Sequence, residues 1–374
     1  MSMKKIKVIT LHRVTNFGSL LQTYATEHIL KEFGYNVEII DFVPDGLTFK
    51  RAVWPRQGSV LKKVMKFLPL LVCNLFQFRM SDNFLRKYIS LSPKRYNNFA
   101  ELASDKLDAD IYLSGSDQVW NTQNNNPEQD LGAYYLAFAK NKPRIAYAGS
   151  FGRTDFADLE KRKVQAWLKC YTAISVREDT GLQLLQEMGL GGVHVVDPTF
   201  LLNGEEWRNF YLSNRPHFPE KGYVFVYNLN RNKLLEEIAK KVAEKFGLRI
   251  VNFADTFEFI HGAYNKMLNT PFDFLGYIAN AEYVITDSFH GTSFSINLEK
   301  QFITVSAPKY NCRIESVLRM MHCEERLVNT VEYALKLCEQ KIDYQIVTRL
   351  VDEHRSRSYR FLEQSLNECK CDRH

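Results

Sequence analysis

Apolar and polar positions along this chain alternate between two rhythms. Short apolar runs fit buried strands, and between them apolar residues recur three and four apart, as amphipathic helices require. Ile6–His12 reads as a strand, Arg13–Gly18 as a loop, Ser19–Phe33 as a helix and Asn36–Phe42 as the next strand. Leu20, Leu21, Tyr24, His28 and Ile29 fall at helical spacing, and Gly34 closes that helix. The strand pattern returns at Ala109–Ser114, Arg144–Ala148, Ala173–Val176 and Val193–Val196, with a helix opening at Asp179 and running to Met188.

A polar, proline-bearing stretch from Asn203 to Lys221 reads as a linker, after which the rhythm restarts. Tyr223–Tyr227, Leu248–Phe253, Tyr283–Thr286 and Phe302–Ser306 are predicted strands. Lys233–Phe246, Phe272–Asn280, Gly291–Leu298 and Arg313–Met321 are predicted helices, and a last helical pattern covers Ile346–Leu366. Strands alternating with helices in two blocks imply an α/β protein of two Rossmann-like domains facing a cleft. The expected division is an N-terminal domain over 1–203, a C-terminal domain over 204–345, and a helix over 346–374 that packs back on the first domain. By analogy this is a glycosyltransferase-B-like arrangement.

The length of 374 residues suits two buried cores. No apolar run approaches the ~18 residues of a membrane span, and the basic N-terminus is not followed by a secretory apolar segment. Seven cysteines without regular spacing fit a reducing cytoplasm. The terminal pair Cys369 and Cys371 lacks a second ligand pair, so a reduced terminus is expected there and no metal site.

Charge changes the picture in one place. Eleven Lys/Arg against the single acid Asp82 lie between Lys50 and Arg95, whereas the rest of the chain holds 38 basic and 42 acidic residues. This insertion, 50–95, also carries the apolar run Phe67–Phe76 behind Lys62, Lys63 and Lys66. Two readings stand: a surface that rests on an anionic bilayer, or a core helix pair with a solvated basic face. Its aromatics are not interleaved at base-stacking spacing, so nucleic acid is not an expected partner.

The polar loops at predicted strand ends carry the candidate chemistry, because ligands of open α/β sheets sit there. The loop ending Asn16-Phe-Gly18-Ser19 has one glycine instead of the three of a dinucleotide fingerprint. Asn16 and Gly18 either bring amide groups to a ligand or form a tight turn. Asp117, Gln118 and Trp120 in Gly115-Ser-Asp-Gln-Val-Trp120 suit a sugar: a carboxylate and an amide for hydroxyls, an indole for a pyranose face. Trp120 taken alone reads as packing. Arg177, after the apolar Ala173–Val176, is a fork for carboxylate or phosphate, or else a structural ion pair with Glu178 or Asp179. His290 lies at a strand-to-helix junction, with Ser288 as N-cap, Asp287 before it and Gly291 after it. Helix N-termini there offer unpaired N–H groups to anions, and an imidazole that titrates near neutrality can hold and release a proton. Arg313 opens a later helix and is a candidate to complete an anion site, with a structural role as the other reading.

Taken in order, these loops resemble the polysaccharide pyruvyl transferase family. The pieces are Asn16-Phe-Gly-Ser-Leu-Leu-Gln-Thr-Tyr-Ala25, Gly115-Ser-Asp-Gln-Val-Trp-Asn121, Ser175-Val-Arg-Glu178 with Asp197-Pro198, and Asp287-Ser-Phe-His-Gly291. The resemblance implies a glycosyltransferase-B-like fold and transfer of the pyruvyl skeleton of phosphoenolpyruvate to two hydroxyls of one sugar, giving a pyruvate ketal and phosphate. Phosphoenolpyruvate is then a co-substrate, and no cofactor or metal is expected. Donor binding falls to Arg177, Ser288, His290, Gly291 and Arg313, with Arg177 and Arg313 clamping it across the cleft. Catalysis falls to His290 as general acid and Asp117 as the group that orients or deprotonates a hydroxyl. The acceptor falls to Asn16, Gly18, Asp117, Gln118 and Trp120. Many relatives carry Arg-Leu-His-Gly where this chain has Ser288-Phe-His-Gly, and Asp where Ser19 stands; Arg313 is the expected substitute for the missing arginine.

The expected acceptor is a polyprenyl-linked oligosaccharide of a bacterial surface polysaccharide such as a capsule. The protein is expected in the cytoplasm, peripheral on the inner membrane through 50–95. A nucleotide-sugar glycosyltransferase is the competing enzyme, although no carboxylate is evident for a ribose. A glycan-binding relative that has lost catalysis is the non-enzymatic alternative.

Overall fold

The computed structural model describes residues 3–14, 16–44, 60–121, 130–215, 218, 222–254, 259–306 and 311–371. Two compact units emerge from the packing: Met1–Leu201 together with Arg355–His374, and Leu202–His354.

The first unit holds β1 (Lys5–Ile9), α1 (Phe17–Glu32), β2 (Asn36–Phe42), α2 (Val60–Tyr88), β3 (Leu91–Tyr96), α3 (Phe99–Ser104) and β4 (Ile111–Ser114). It continues with α4 (Leu131–Tyr134), β5 (Arg144–Gly149), α5 (Asp158–Leu168), β6 (Ala173–Val176), α6 (Asp179–Glu187) and β7 (Val193–His194). All seven strands pair in parallel in the order β3-β2-β1-β4-β5-β6-β7. Parallel strands covered on both faces bury nearly every side chain, which is why Ile6, Val8, Ile9, Ile39, Ile40, Ile111 and Leu113 read as apolar runs.

The second unit holds α7 (Gly204–Asn214), β8 (Tyr223–Tyr227), α8 (Lys233–Phe246), β9 (Arg249–Phe253), β10 (Tyr264–Lys266), α9 (Pro271–Asn280) and β11 (Tyr283–Thr286). It continues with α10 (Phe289–Asn297), β12 (Gln301–Val305), α11 (Cys312–Met320), β13 (Leu327–Val328) and α12 (Val331–Leu337). Its six strands are parallel in the order β10-β9-β8-β11-β12-β13. The last helix, α13 (Tyr344–Cys371), joins the first unit's contacts from Arg355 onward. There Arg355 Nε donates to Phe200 O at 2.6 Å, Val196 N–H donates to Ser358 Oγ at 3.1 Å, and Tyr35 OH reaches Leu366 O at 3.4 Å.

Two sequence expectations change. The stretch from Asn203 to Lys221 is not all linker: Gly204–Asn214 is a helix. Asn203 and Glu206 form a reciprocal capping box at its start, and Trp207 and Tyr211 bury the face they share four residues apart. The basic segment 50–95 is not a single insertion either. Leu91–Tyr96 is the edge strand β3, paired through Ile39↔Leu91 and Phe42↔Tyr96, and Pro93 is tolerated there because an edge needs fewer N–H donors. Residues 50–59 of this segment lie outside the described residues, as do the side chains of Phe67–Leu70 in the apolar run. The rest of the run lies on one 29-residue helix, α2, and not on a helix pair. Cys73 and Asn74 are buried on it, while Val72 and Leu75 are 54% and 42% exposed. Among the described residues no helix is long and apolar enough to cross a membrane.

Candidate functional site

Each sheet reverses its winding once, between β1 and β4 in the first and between β8 and β11 in the second. The loops leaving these strand pairs diverge to opposite faces and open a crevice at the carboxyl edge, where doubly wound proteins bind ligands. The loops singled out in the sequence at Asn16–Ser19, Gly115–Asn121 and Asp287–Gly291 all leave such strands.

In the first unit, Asn16 caps α1: its Oδ1 accepts from the N–H groups of Gly18 at 2.9 Å and Ser19 at 3.3 Å. Ser19 Oγ in turn donates to Asp117 Oδ2, which joins the two loops of the reversal. Thr10 Oγ1 donates to Ser116 O at 2.8 Å and accepts from Gln22 Nε2 at 2.9 Å, holding the strand ends together. Asp117 has a φ of 74°, a left-handed conformation unusual for a residue with a side chain. Its carboxylate accepts from Gln118 N–H at 2.8 Å and from Arg177 Nη2 at 3.1 Å.

Arg177 is the hub of this half. Nη1 donates to Asp197 Oδ2 at 2.7 Å, Nη2 binds Asp117, and Nε lies 3.9 Å from Glu178 Oε2. Ser116 Oγ also donates to Asp197, at 3.0 Å. Burial disfavours the guanidinium's charge, but Asp117, Asp197 and Glu178 outweigh that and raise its pKa. The expected donor clamp is therefore corrected: the Arg177 side chain has no accessible surface and spends its fork on protein carboxylates. It holds Asp117 in place. The shortest contacts go to Asp117 and Asp197, sixty and twenty residues away, and of the adjacent acids named from the sequence Glu178 pairs with it as well, at 3.9 Å.

Trp120 is likewise corrected. It is fully buried, stacked on Tyr135 at 5.5 Å between centroids and tilted against Phe151 at 5.0 Å. A Cβ on Gly149 would fall 2.7 Å from the indole, so backbone presses on it as well. No face is left for a sugar, and its Nε1 donates to Tyr134 O at 3.3 Å. Gln118 remains half-buried beside it, its Oε1 accepting from Asn121 Nδ2 at 2.6 Å.

In the second unit, Ser288 is the N-cap of α10, accepting from Gly291 N–H at 3.3 Å. Every residue of α10 is buried, although the helix is rich in Ser and Thr. The hydroxyls of Thr292, Ser293 and Ser295 return their hydrogen bonds to carbonyls one turn back, at 2.7–3.0 Å, so that burial leaves them satisfied. Gly291 is required: a Cβ there would meet Thr286 Oγ1 at 2.5 Å. His290, on the first turn, is 4% exposed and meets the Phe289 ring edge-on at 5.2 Å. The Arg313 guanidinium lies over the same ring, 5.8 Å from its centroid. Phe289 thus brings the imidazole and one guanidinium onto a common platform.

Asp287 was noted in the sequence only as a neighbour of His290, and the structure gives it a job. It is buried and accepts from Leu229 N–H at 2.8 Å, Asn230 N–H at 3.0 Å and Asn230 Nδ2 at 3.0 Å. Burial raises its pKa despite those donors. The partner loop, Asn228–Asn232, was missed by sequence reasoning. Its signal was a run of asparagines around Arg231 directly after a predicted strand.

A model of the polysaccharide pyruvyl transferase family matches residues 16–307. The chain belongs to that family. Membership makes it a transferase of polysaccharide pyruvylation with a sugar acceptor. No curated protein matches it. Among solved structures, S. aureus MnaA in a co-structure with UDP shares 11% identity at a TM-score of 0.56, covering 98% of this chain and 97% of that one. The UDP-GlcNAc 2-epimerase of Neisseria meningitidis, bound to UDP-GlcNAc, gives 9% identity and 0.54 over 98% and 100%. Arabidopsis thaliana UGT89C1, complexed with UDP-L-rhamnose, gives 10% and 0.52 over 99% and 100%. These likenesses concern the fold, and it is glycosyltransferase-B-like, as the sequence led us to expect.

Proposed function

We propose that this family member moves the pyruvyl group of phosphoenolpyruvate onto two hydroxyls of one sugar in a lipid-linked surface-polysaccharide precursor, releasing phosphate. One observation carries the reading: His290 and Arg313 share Phe289 at the carboxyl edge of the second sheet, a proton donor beside a cation. The second unit then holds the donor. Ser288, Gly291 and the α10 N-terminus face its anionic oxygens, with Arg313 standing in for the arginine many relatives carry at position 288.

The chemistry needs one acid and one base. Protonation of the methylene carbon by His290 turns it into a methyl group and leaves an oxocarbenium-like carbon beside the carboxylate. A sugar hydroxyl adds to that carbon and gives its proton to Asp117. The bond to phosphate breaks with its electron pair, and the second hydroxyl closes the ketal. Of the two hydroxyl protons, one balances that taken from His290 and the other leaves on phosphate. Arg177 acts at one remove, fixing the orientation of Asp117, and Asn16, Gly18 and Gln118 supply polar groups to the acceptor.

The basic segment supports a seat beside an anionic membrane surface. Val72, Leu75 and Arg79 lie exposed on one face of α2, three and four residues apart.

The test is mass spectrometry of glycolipid acceptors incubated with phosphoenolpyruvate, reading a gain of pyruvate less one water and release of inorganic phosphate. His290→Ala abolishes the gain with the fold intact; undiminished turnover in that variant removes His290 from the mechanism. Nucleotide release from a sugar donor would replace this reading with glycosyl transfer, and acceptor binding without turnover would mark an inactive relative.

A further inference from the structure

We propose that Arg231 is a second donor-binding cation, paired with the His290 loop across the strand reversal of the second sheet. The inference rests on phosphoenolpyruvate being the donor. That molecule carries a carboxylate and a phosphate, roughly two to three negative charges, and Arg313 with a protonated His290 supplies at most two positive ones.

The register puts Arg231 in position. Tyr227 at the end of β8 pairs with Thr286 at the end of β11, so the loops 228–232 and 287–290 leave the sheet side by side. Asp287 then binds the first loop directly, through the N–H groups of Leu229 and Asn230. The loop is closed on itself as well. Asn228 Oδ1 accepts from Asn232 N–H at 2.9 Å, and Asn228 Nδ2 donates to Asn232 O at 3.1 Å. Asn232 Nδ2 ties it to Ser306 O beyond β12 at 3.0 Å, while Asn232 Oδ1 caps α8.

Arg231 sits at the point where this pinned loop reverses, with φ at 55°. Glycine or asparagine ordinarily fills a left-handed position, because a longer side chain is strained there. Among the described residues, only Asp117 and Arg231 adopt positive φ without being glycine in the loops of the two strand reversals. Asp117 is already read as a working residue. Arg231 leaves the first strand of its reversal, whereas Asp117 leaves the second strand of the other; Arg231 is exposed and is the one cation its loop contributes. A position that turn geometry alone would give to glycine holds an arginine, and strain of this kind is found where it serves a site. The loop's rigidity gives the guanidinium a fixed origin, and its fork suits carboxylate or phosphate oxygens.

The test compares Arg231→Gly and Arg231→Lys with wild type in full-length protein. Phosphoenolpyruvate and inorganic phosphate are titrated calorimetrically, and KM, kcat and the melting temperature are measured. Glycine accepts the backbone angle without strain, so the fold stays as stable as wild type or gains stability. The KM and dissociation constant for phosphoenolpyruvate rise about tenfold or more, the loss expected for a charge-assisted contact, and lysine restores part of the affinity. A parallel loss for inorganic phosphate assigns the guanidinium to the phosphate end, and a loss confined to phosphoenolpyruvate assigns it to the carboxylate. Wild-type donor affinity in Arg231→Gly overturns the proposal while leaving pyruvyl transfer standing. A wild-type protein that neither binds nor consumes phosphoenolpyruvate overturns both.

Discussion

Replacing Arg177 separates two roles that the sequence left open. Arg177→Met keeps volume but leaves three carboxylates around an apolar side chain, at guanidinium distances of 2.7 Å for Asp197, 3.1 Å for Asp117 and 3.9 Å for Glu178. All three keep other donors, Asp117 from Ser19 Oγ and Gln118 N–H. Glu178 accepts from the N–H groups of Phe151 and Gly152, and Asp197 from Thr199 N–H, Thr199 Oγ1 and Ser116 Oγ. The cost therefore resembles that of breaking one buried pair, about 3–5 kcal/mol, and not a multiple of it. Arg177→Lys keeps the charge but cannot fork to Asp117 and Asp197 together, so its loss is smaller. Urea denaturation of Arg177→Met, Asp197→Asn and the double variant closes a cycle. The double variant should lose clearly less than the sum of the singles, because each single removal strands the other's charge. Turnover falls in the Arg177 variants because Asp117 loses its orientation, whereas the donor's dissociation constant in the folded protein stays near wild type. A stability loss under about 1 kcal/mol combined with collapse of donor affinity would refute this account and return the guanidinium to the ligand.

Three further outcomes follow from the same geometry. Gly291→Ala drives a methyl into Thr286 and displaces the first turn of α10; a loss of about 1–3 kcal/mol is expected, with kcat falling further than stability explains, and a wild-type kcat would mean that this turn does not position His290. Trp120→Ala empties a core site and costs about 3–5 kcal/mol; loss of acceptor binding at unchanged stability, by calorimetry against urea melts, would instead support a sugar-stacking indole. Asp41 is pressed upward by burial, but hydrogen bonds from His12 and Arg13 hold its carboxyl far below the usual range. A depressed pKa contributes stability above the unfolded value near ~4 that is lost as pH falls below it. Asp41→Asn should therefore flatten the acid limb of stability against pH, and an unchanged limb would mean that the bonds at 3.2 Å to His12 and 2.9 Å to Arg13 do not persist in solution.

Much of the fold was legible along the chain because buried parallel strands appear as apolar runs whatever their neighbours are. Tyr223–Tyr227 and Tyr283–Thr286 were readable for that reason, down to their last residues. Elements with weaker patterns were not. The edge strand Leu91–Tyr96 carries a proline and three exposed residues, and the helix Gly204–Asn214 buries only Trp207 and Tyr211 amid polar neighbours. The chemistry divided in the same way. Ser288 announces a helix start by the local rule of capping, and the structure keeps it in that role, whereas the close approach of Gly291 to Thr286 is set by the fold.

Local order along the chain thus dictated period, capping and the strand ends at which polar loops gather. Folding alone settled which loops meet, since that depends on the β1–β4 and β8–β11 adjacencies, which join segments far apart in the chain. Those adjacencies gave Ser19 a carboxylate partner and set the loop of Arg231 beside the His290 loop, while the β4-β5-β6 order turned Arg177 from a presumed ligand contact into the support of Asp117 and enclosed Trp120 among aromatic rings. An arginine or tryptophan reads the same in sequence whether its polar or flat surface meets solvent or another side chain; only the strand order decides between them.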